Sequence, residues 1–196
     1  MKESVSLEPE TLLAAYAQGA FPMADCDGRI RWYTAEPRGI IPLHAFHVPK
    51  SLGQVVAQSR FEVRINSDFE ATMRACMEAR RGETWINEEL IAAYCQLREL
   101  GFAHSVECWQ RGELVGGLYG VSLGGAFFGE SMFHKARDAS KVALVHLVNR
   151  LNDRGYDLLD TQATTSHLRQ FGCIDVPAEQ YLRRLKKALK HPCSFE

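Results

Sequence analysis

Six of the fifteen glycines in this chain fall between Gly116 and Phe133, in the run Gly-Gly-Leu-Tyr-Gly-Val-Ser-Leu-Gly-Gly-Ala-Phe-Phe-Gly-Glu-Ser-Met-Phe. Glycine inside strands gives up packing and backbone entropy. Its use at 116, 117, 120, 124, 125 and 129 therefore points to turns, bulges or a close backbone approach to something bound. The run closes on Glu130, flanked by Phe127, Phe128, Met132 and Phe133. An ionised carboxylate in such company needs a cation or several donors, and an incoming amine would serve. The plainer alternative is a glycine-rich hairpin with an edge-exposed Glu.

Hydrophobic periodicity around this run predicts an α+β chain. His104 to Trp109, Leu114 to Val121 and Ala126 to Phe133 read as three antiparallel strands joined by tight turns. Helices are predicted over 8–18, from an Asp68 cap to about Ala79, over 87–100, over about 138–153, briefly over 165–170, and from Pro177 onward. Strands are predicted over 61–65 and 156–162. The Pro/Gly-rich passage through Pro37, Gly39 and Pro42 is the best boundary, dividing a small unit (1–36) from a main domain (37–196). Strands grouped before and between helices argue against an alternating parallel wheel.

Composition excludes several classes. Charges balance at 23 basic against 24 acidic residues, so no global field announces nucleic acid. Basic side chains do gather locally, at Arg183, Arg184, Lys186, Lys187 and Lys190 and at Arg74, Arg80 and Arg81. Each group is either a solvated helix face or a phosphate contact. No apolar run suits a membrane span, and the first ten residues hold no secretory core, so a cytoplasmic location is expected. The six cysteines form no zinc or redox spacing, and the seven histidines show no H-x-E or HExxH pattern. Cysteine core filler, no metal and no cofactor are the expectations. His104 and His167 read as structural or solvent-facing.

Three segments together resemble the leucyl/phenylalanyl-tRNA-protein transferase family: Glu83-Thr-Trp-Ile86, the block from Leu114-Val-Gly-Gly-Leu-Tyr-Gly to Phe-Gly-Glu-Ser-Met-Phe133, and Asp160-Thr-Gln162. Supporting pieces run over nearly the whole chain, including Ala15-Tyr-Ala-Gln-Gly-Ala-Phe-Pro22 and Leu100-Gly-Phe-Ala-His-Ser-Val-Glu107. Family members usually carry a further leading segment rich in Pro and Gly, expected to be missing here. The resemblance implies a GNAT-like acyltransferase fold after a small N-terminal unit. It also implies transfer of Leu or Phe, with Met as a further candidate donor, from aminoacyl-tRNA to proteins beginning with Lys or Arg. Such transfer marks those proteins for N-degron proteolysis. The chain is expected to act as a monomer, away from membranes.

The resemblance also assigns residues. Asp160, Gln162 and Glu130 are the catalytic candidates, with Asp160 polarising Gln162, whose amide oxygen accepts from the attacking amine. An amide oxygen orients an N–H well but is a poor final proton acceptor. The proton is thus expected to leave through Asp160, water or the vicinal ribose hydroxyl. Strand alternation predicts that Asp160 and Gln162 share a face. Leu118, Phe127, Met132, Leu144 and Leu147 are expected to line an acyl side-chain pocket, plain core being their alternative. Trp85 matches a tryptophan that stacks on the terminal adenine. Met23 stands where many members have a second tryptophan, with Trp32 or Tyr33 as possible substitutes. Arg183, Arg184 and Lys187 are the first choices for tRNA phosphates.

Two other readings compete. A coenzyme A-dependent N-acetyltransferase predicts a Q/R-x-x-G-x-G/A turn before a helix, and Arg169-Gln-Phe-Gly-Cys-Ile lacks the second glycine. A non-catalytic tRNA or N-terminus binding module would have no need of Glu130, Asp160 and Gln162 together.

Overall fold

The computed structural model describes residues 5–80 and 84–196. Helix α1 (Pro9–Ala17) begins on a proline, whose missing N–H is no loss at a helix start, and stops at Gly19 with φ of +79°. A two-stranded hairpin follows, β1 (Phe21–Ala24) with β2 (Ile30–Tyr33). Then come β3 (Arg38–Ile41), a 3₁₀ turn (Leu43–Ala45), α2 (Lys50–Ala57) and β4 (Glu62–Ile65). Two capped helices succeed them. Asp68 accepts from the Ala71 N–H ahead of α3 (Phe69–Ala79), and Asn87 accepts from the Leu90 N–H ahead of α4 (Glu88–Glu99). Each cap satisfies an otherwise orphaned first-turn donor.

The long meander β5 (Ala103–Gln110), β6 (Glu113–Leu123) and β7 (Ala126–His134) leads into α5 (Ala139–Asp153). The chain closes with β8 (Leu158–Gln162), α6 (Ser166–Arg169), β9 (Ile174–Val176) and α7 (Ala178–Ala188). Seven strands form one sheet in the order β4-β5-β6-β7-β8-β3-β9. Only β7 and β8 run parallel; the remaining neighbours are antiparallel. This is a mixed, largely antiparallel α+β sheet, as the periodicity predicted.

Helices cover both faces. On one, Leu12 and Tyr16 of α1, Met73 of α3, Tyr94 of α4 and Tyr181 of α7 share a core with Tyr119 and Phe128. On the other, Val142, Leu147 and Leu151 of α5 pack with Val106 and Phe127. Residues of the first thirty-six thus share a core with the large sheet.

The expected helices and the meander are present. The hairpin β1–β2 and strand β3 are additions to the sequence reading, because Pro22, Pro37, Gly39 and Pro42 read as breaks, and so are helix α2 and strand β9, over which no element is predicted. Strand β3 is no linker. It lies inside the sheet between β8 and β9 and pairs with both, so its Pro37 and Gly39 mark a strand start and not a break.

Two of the glycines, Gly116 and Gly120, serve the protein's own packing. A Cβ at Gly116 would lie 2.4 Å from that of Ala139, so α5 packs directly on bare backbone there. A Cβ at Gly120 would lie 2.2 Å from the Phe128 carbonyl oxygen. Close approach is the correct reading of these positions, but the thing approached is the fold itself.

Candidate active site

Strands β7 and β8 pair only through Ala126↔Leu158, Phe127↔Leu159 and Phe128↔Asp160, and then part. The opening is a cavity of about 440 Å³ whose walls include Gly129 to Met132 on β7 and Thr161 to Ala163 at the end of β8. Leu118, Met132, Leu144 and Leu147 line it together with Leu159. Phe127 does not reach the surface of the cavity. It is wholly buried behind the wall and stacked on Phe195 at 5.3 Å, so its part is to back the pocket and not to touch a ligand.

Glu130 reaches the cavity because of a β-bulge. The β6–β7 register runs Tyr119↔Ser131 and then Gly120↔Gly129, which leaves Glu130 as the extra residue. A bulge re-aims a side chain and reverses the in–out alternation beyond it. Accordingly Phe127 and Met132 share one core while Phe128 and Phe133 share the other. Glu130 is 7% exposed. Gln162 Nε2 donates to its Oε1 at 2.9 Å, and the Tyr94 hydroxyl donates to Oε2 at 3.4 Å. Tyr94 is itself hydrogen-bonded to Tyr16. Burial pushes the Glu130 carboxyl up to about 8, with the nearby Asp160 charge adding to the rise and hydrogen bonds from Tyr16 and Tyr94 and the Arg38 charge opposing it.

Asp160 is built differently. It is fully buried and absent from the cavity wall. Arg38 Nε donates to both of its oxygens, at 2.9 and 3.2 Å, and Nη2 donates to Oδ2 at 2.7 Å. The Tyr181 hydroxyl donates to Oδ2 at 2.6 Å and the Gln162 backbone N–H to Oδ1 at 2.8 Å. These donors occupy the lone pairs of the carboxylate. Asp160 thus presents no free lone pair to the cavity, and it meets the backbone of Gln162, not its amide side chain. The shared-face expectation also fails, since Gln162 takes a φ of +56° and its side chain turns into the cavity while that of Asp160 stays beneath.

The mouth holds Met23, Trp85 and Arg80. The Ala24 N–H donates to the Trp85 carbonyl at 3.0 Å, which ties β1 to the Trp85 segment, and the Arg80 guanidinium lies 5.8 Å from the Trp85 ring. Trp32 and Tyr33 pack against the core behind Met23 without lining the cavity, so neither takes the place of a second stacking ring. Arg81 and Glu83 lie outside the described residues. Arg183, Arg184 and Lys187 are exposed on α7, away from the cavity wall, with Arg183 paired to Glu179.

Among the described residues no group of three or more His, Cys, Asp or Glu is arranged to hold a metal ion. Burial pushes the Cys76 and Cys108 thiols up to about 12, which removes them as nucleophiles. His104 is structural, 2% exposed, hydrogen-bonded to the Gly101 carbonyl and pushed down to about 4 by burial and by Arg98. His167 instead reaches the cavity rim. A groove of about 660 Å³ between α2, β4 and α5 contains none of the candidate site residues.

Sequence reasoning missed Arg38, Tyr16, Tyr94 and Tyr181. Arg38 in Pro37-Arg38-Gly39-Ile40-Ile41 was legible as a lone cation entering an apolar run, a position that demands a buried anion.

Family models match most of the chain. Residues 40–186 match the leucyl/phenylalanyl-tRNA protein transferase model, and residues 6–36 match the model of that family's N-terminal domain. The chain belongs to the leucyl/phenylalanyl-tRNA protein transferase family. Similar curated relatives carry the name leucyl/phenylalanyl-tRNA–protein transferase. That of Paramagnetospirillum magneticum is 55% identical over 97% of this chain and 93% of its own. That of Gloeobacter violaceus is 55% identical over 97% of this chain and 98% of its own. Among solved structures, L-PGS from Bacillus licheniformis aligns at a TM-score of 0.48 and 12% identity, covering 91% of this chain and 62% of its own.

Proposed function

We propose that this family member transfers leucine or phenylalanine from the 3′ end of tRNA to the α-amine of proteins that begin with Lys or Arg. The observation that carries the reading is the two-sided cavity, aliphatic at Leu118, Met132, Leu144 and Leu147 and polar at Glu130 and Gln162. An acyl side chain of Leu or Phe size suits the first side, and an attacking amine suits the second. Methionine at 132 and at 23 tolerates more than one shape. Trp85 at the mouth supplies a stacking face for the terminal adenine, with Met23 opposing it as a contact without a ring.

The ester is already activated, so the protein's task is to hold two substrates and move protons. A bound α-ammonium, with a pKa of about 7.7–8.0 in its free state, must lose one proton before attack. Glu130 is the carboxylate that faces the cavity, and it accepts that proton. While Glu130 is ionised it can only accept, so the Gln162 –NH₂ turns to it and leaves Gln162 Oε1 to hold the second N–H of the amine. Nitrogen then bonds to the carbonyl carbon and the ester C–O bond breaks. The departing ribose oxygen takes the second amine proton, and Glu130 returns its own to solvent.

The GNAT-like assignment is part of the same reading, supported by a parallel β7–β8 pair that parts over the site. So is the division at 36/37, the first unit supplying Phe21 and Met23 to the cavity. No helix among the described residues is long and apolar enough to cross a membrane. We place the protein in the cytoplasm, where charged tRNA is used, as a monomer. The test is transfer of labelled Leu or Phe from charged tRNA to peptides starting with Arg, Lys or Ala. Transfer restricted to the basic peptides is expected, and no transfer from intact charged tRNA would overturn the proposal.

A further inference from the structure

We infer that Arg38 is a positioning residue for transfer: by holding Asp160 it sets the backbone of Gln162 and thereby delivers the Gln162 amide to Glu130. Arg38 is 1% exposed, at the start of β3. Its guanidinium lies between two aromatic rings, 4.5 Å from the centre of Tyr181 and 5.0 Å from that of Phe21. Each of its three nitrogens donates within the site's frame. Nε and Nη2 hold Asp160, and Nη1 donates to the Gly19 carbonyl at 2.8 Å. Gly19 forms the turn into β1, where a Cβ would come within 2.9 Å of the Tyr181 ring. One side chain thus joins the β1 wall of the cavity, through Phe21 and Gly19, to α7 and to the end of β8.

The mechanical link is the left-handed residue. A non-glycine φ of +56° is a sparsely populated conformation that persists only where surrounding structure compensates for it. At Gln162 the compensation is the backbone N–H donated to Asp160 Oδ1. An Asp160 free to rotate would release that bond, and an extended Gln162 would return its side chain to the alternation of the strand, away from Glu130. A lysine at position 38 keeps the charge but has a single point donor group on a flexible stem. It cannot span both Asp160 oxygens and the Gly19 carbonyl in one plane. The inference rests on the transfer reading, so its test includes a measurement that needs no substrate.

The experiment compares Arg38→Lys, Gln162→Ala and the double variant, with melting temperature recorded for each. At saturating aminoacyl-tRNA, Arg38→Lys is expected to slow single-turnover transfer by about 30-fold or more while the KM for aminoacyl-tRNA stays within about threefold. In the Gln162→Ala background the same change is expected to cost less than about threefold, because residues acting as one unit are not additive. In the folded protein without substrate, the Gln162 side-chain ¹⁵N amide resonance, assigned by its loss in Gln162→Ala, is expected to follow the titration of Glu130. Groups facing that carboxyl are Tyr16, Tyr94, Asp160, Arg38 and Gln162 itself. In Arg38→Lys this pH response is expected to vanish.

An unchanged resonance response in Arg38→Lys would overturn the inference even if the chain proved to transfer nothing. So would an equal slowing in both backgrounds. Failure of the wild type to transfer, with the resonance behaving as expected, would overturn the functional reading alone. Should Arg38→Lys not fold, Tyr181→Phe removes one donor from Asp160 and leaves the ion pair. Its smaller slowing must likewise disappear in the Gln162→Ala background, and additivity would sink the idea.

Discussion

Asp160 and Glu130 sit on neighbouring strands of one sheet, 0% and 7% exposed, yet among the described residues it is Asp160 that forms an ion pair, with Arg38. Arg38, Tyr181 and the Gln162 backbone saturate Asp160, whereas Glu130 meets uncharged donors, the Gln162 amide and the hydroxyls of Tyr94 and Tyr16. The difference separates two duties. A carboxylate whose lone pairs are all taken holds geometry, and one that meets uncharged donors at a cavity wall has capacity for a substrate's proton. In the folded protein Glu130 is raised from an ordinary 4.5 to about 8. Between those values the folded state binds more protons than the unfolded one, so this group's contribution to stability declines as pH rises through that window.

Four experiments would break or sharpen the contrast. The largest effect is expected at Asp160→Asn, which leaves Arg38 buried beside a neutral group. Denaturant unfolding should show a loss of about 3–5 kcal/mol, and near-normal stability would mean the pair is not the frame of the site. Glu130→Gln should do the opposite to stability, raising the melting temperature at pH 8 and flattening its dependence between about pH 4.5 and 8. The same variant should lower transfer by about 100-fold or more, with partial recovery on an aminooxy-terminated acceptor that arrives unprotonated. A defect that ignores acceptor basicity would remove Glu130 as the proton acceptor.

Trp85→Ala should weaken binding of a charged minihelix by about 1–3 kcal/mol, with Met23→Trp giving a smaller gain in affinity. Equal binding by all three proteins would place adenine elsewhere. The smallest effect is expected on α7. Reversing Arg183 and Lys187 to Glu should weaken tRNA binding modestly and reduce the slope of affinity against salt, and an unchanged slope would mean this face is only solvated.

The helices and the meander were legible because their signals are local. Pro9, Asp68, Asn87 and Gly101 punctuate helices, and alternation over 103–134 writes out three strands. Trp85, Glu130, Asp160 and Gln162 were legible through family motifs. Strand β3 was not, because Pro37 and Gly39 speak for a break, and only pairing with β8 and β9 overrides them. Phe127 was assigned to the pocket by family pattern and lies behind it: the bulge at Glu130 does give it the same face as Met132, but it is wholly buried against Phe195, deeper than the cavity wall.

By itself the sequence determined the element types, the α+β class and the residues with chemistry to offer, all properties of short windows and spacings. Tertiary structure decided which of these two buried carboxylates is saturated with donors and which lines the cavity. That depends on Arg38, which is 122 residues from Asp160 along the chain, and on a left-handed turn at Gln162 that no local preference demands. Hydrogen-bond saturation belongs to the assembled site, because the lone pairs of Asp160 are filled by donors from three elements, β3, β8 and α7.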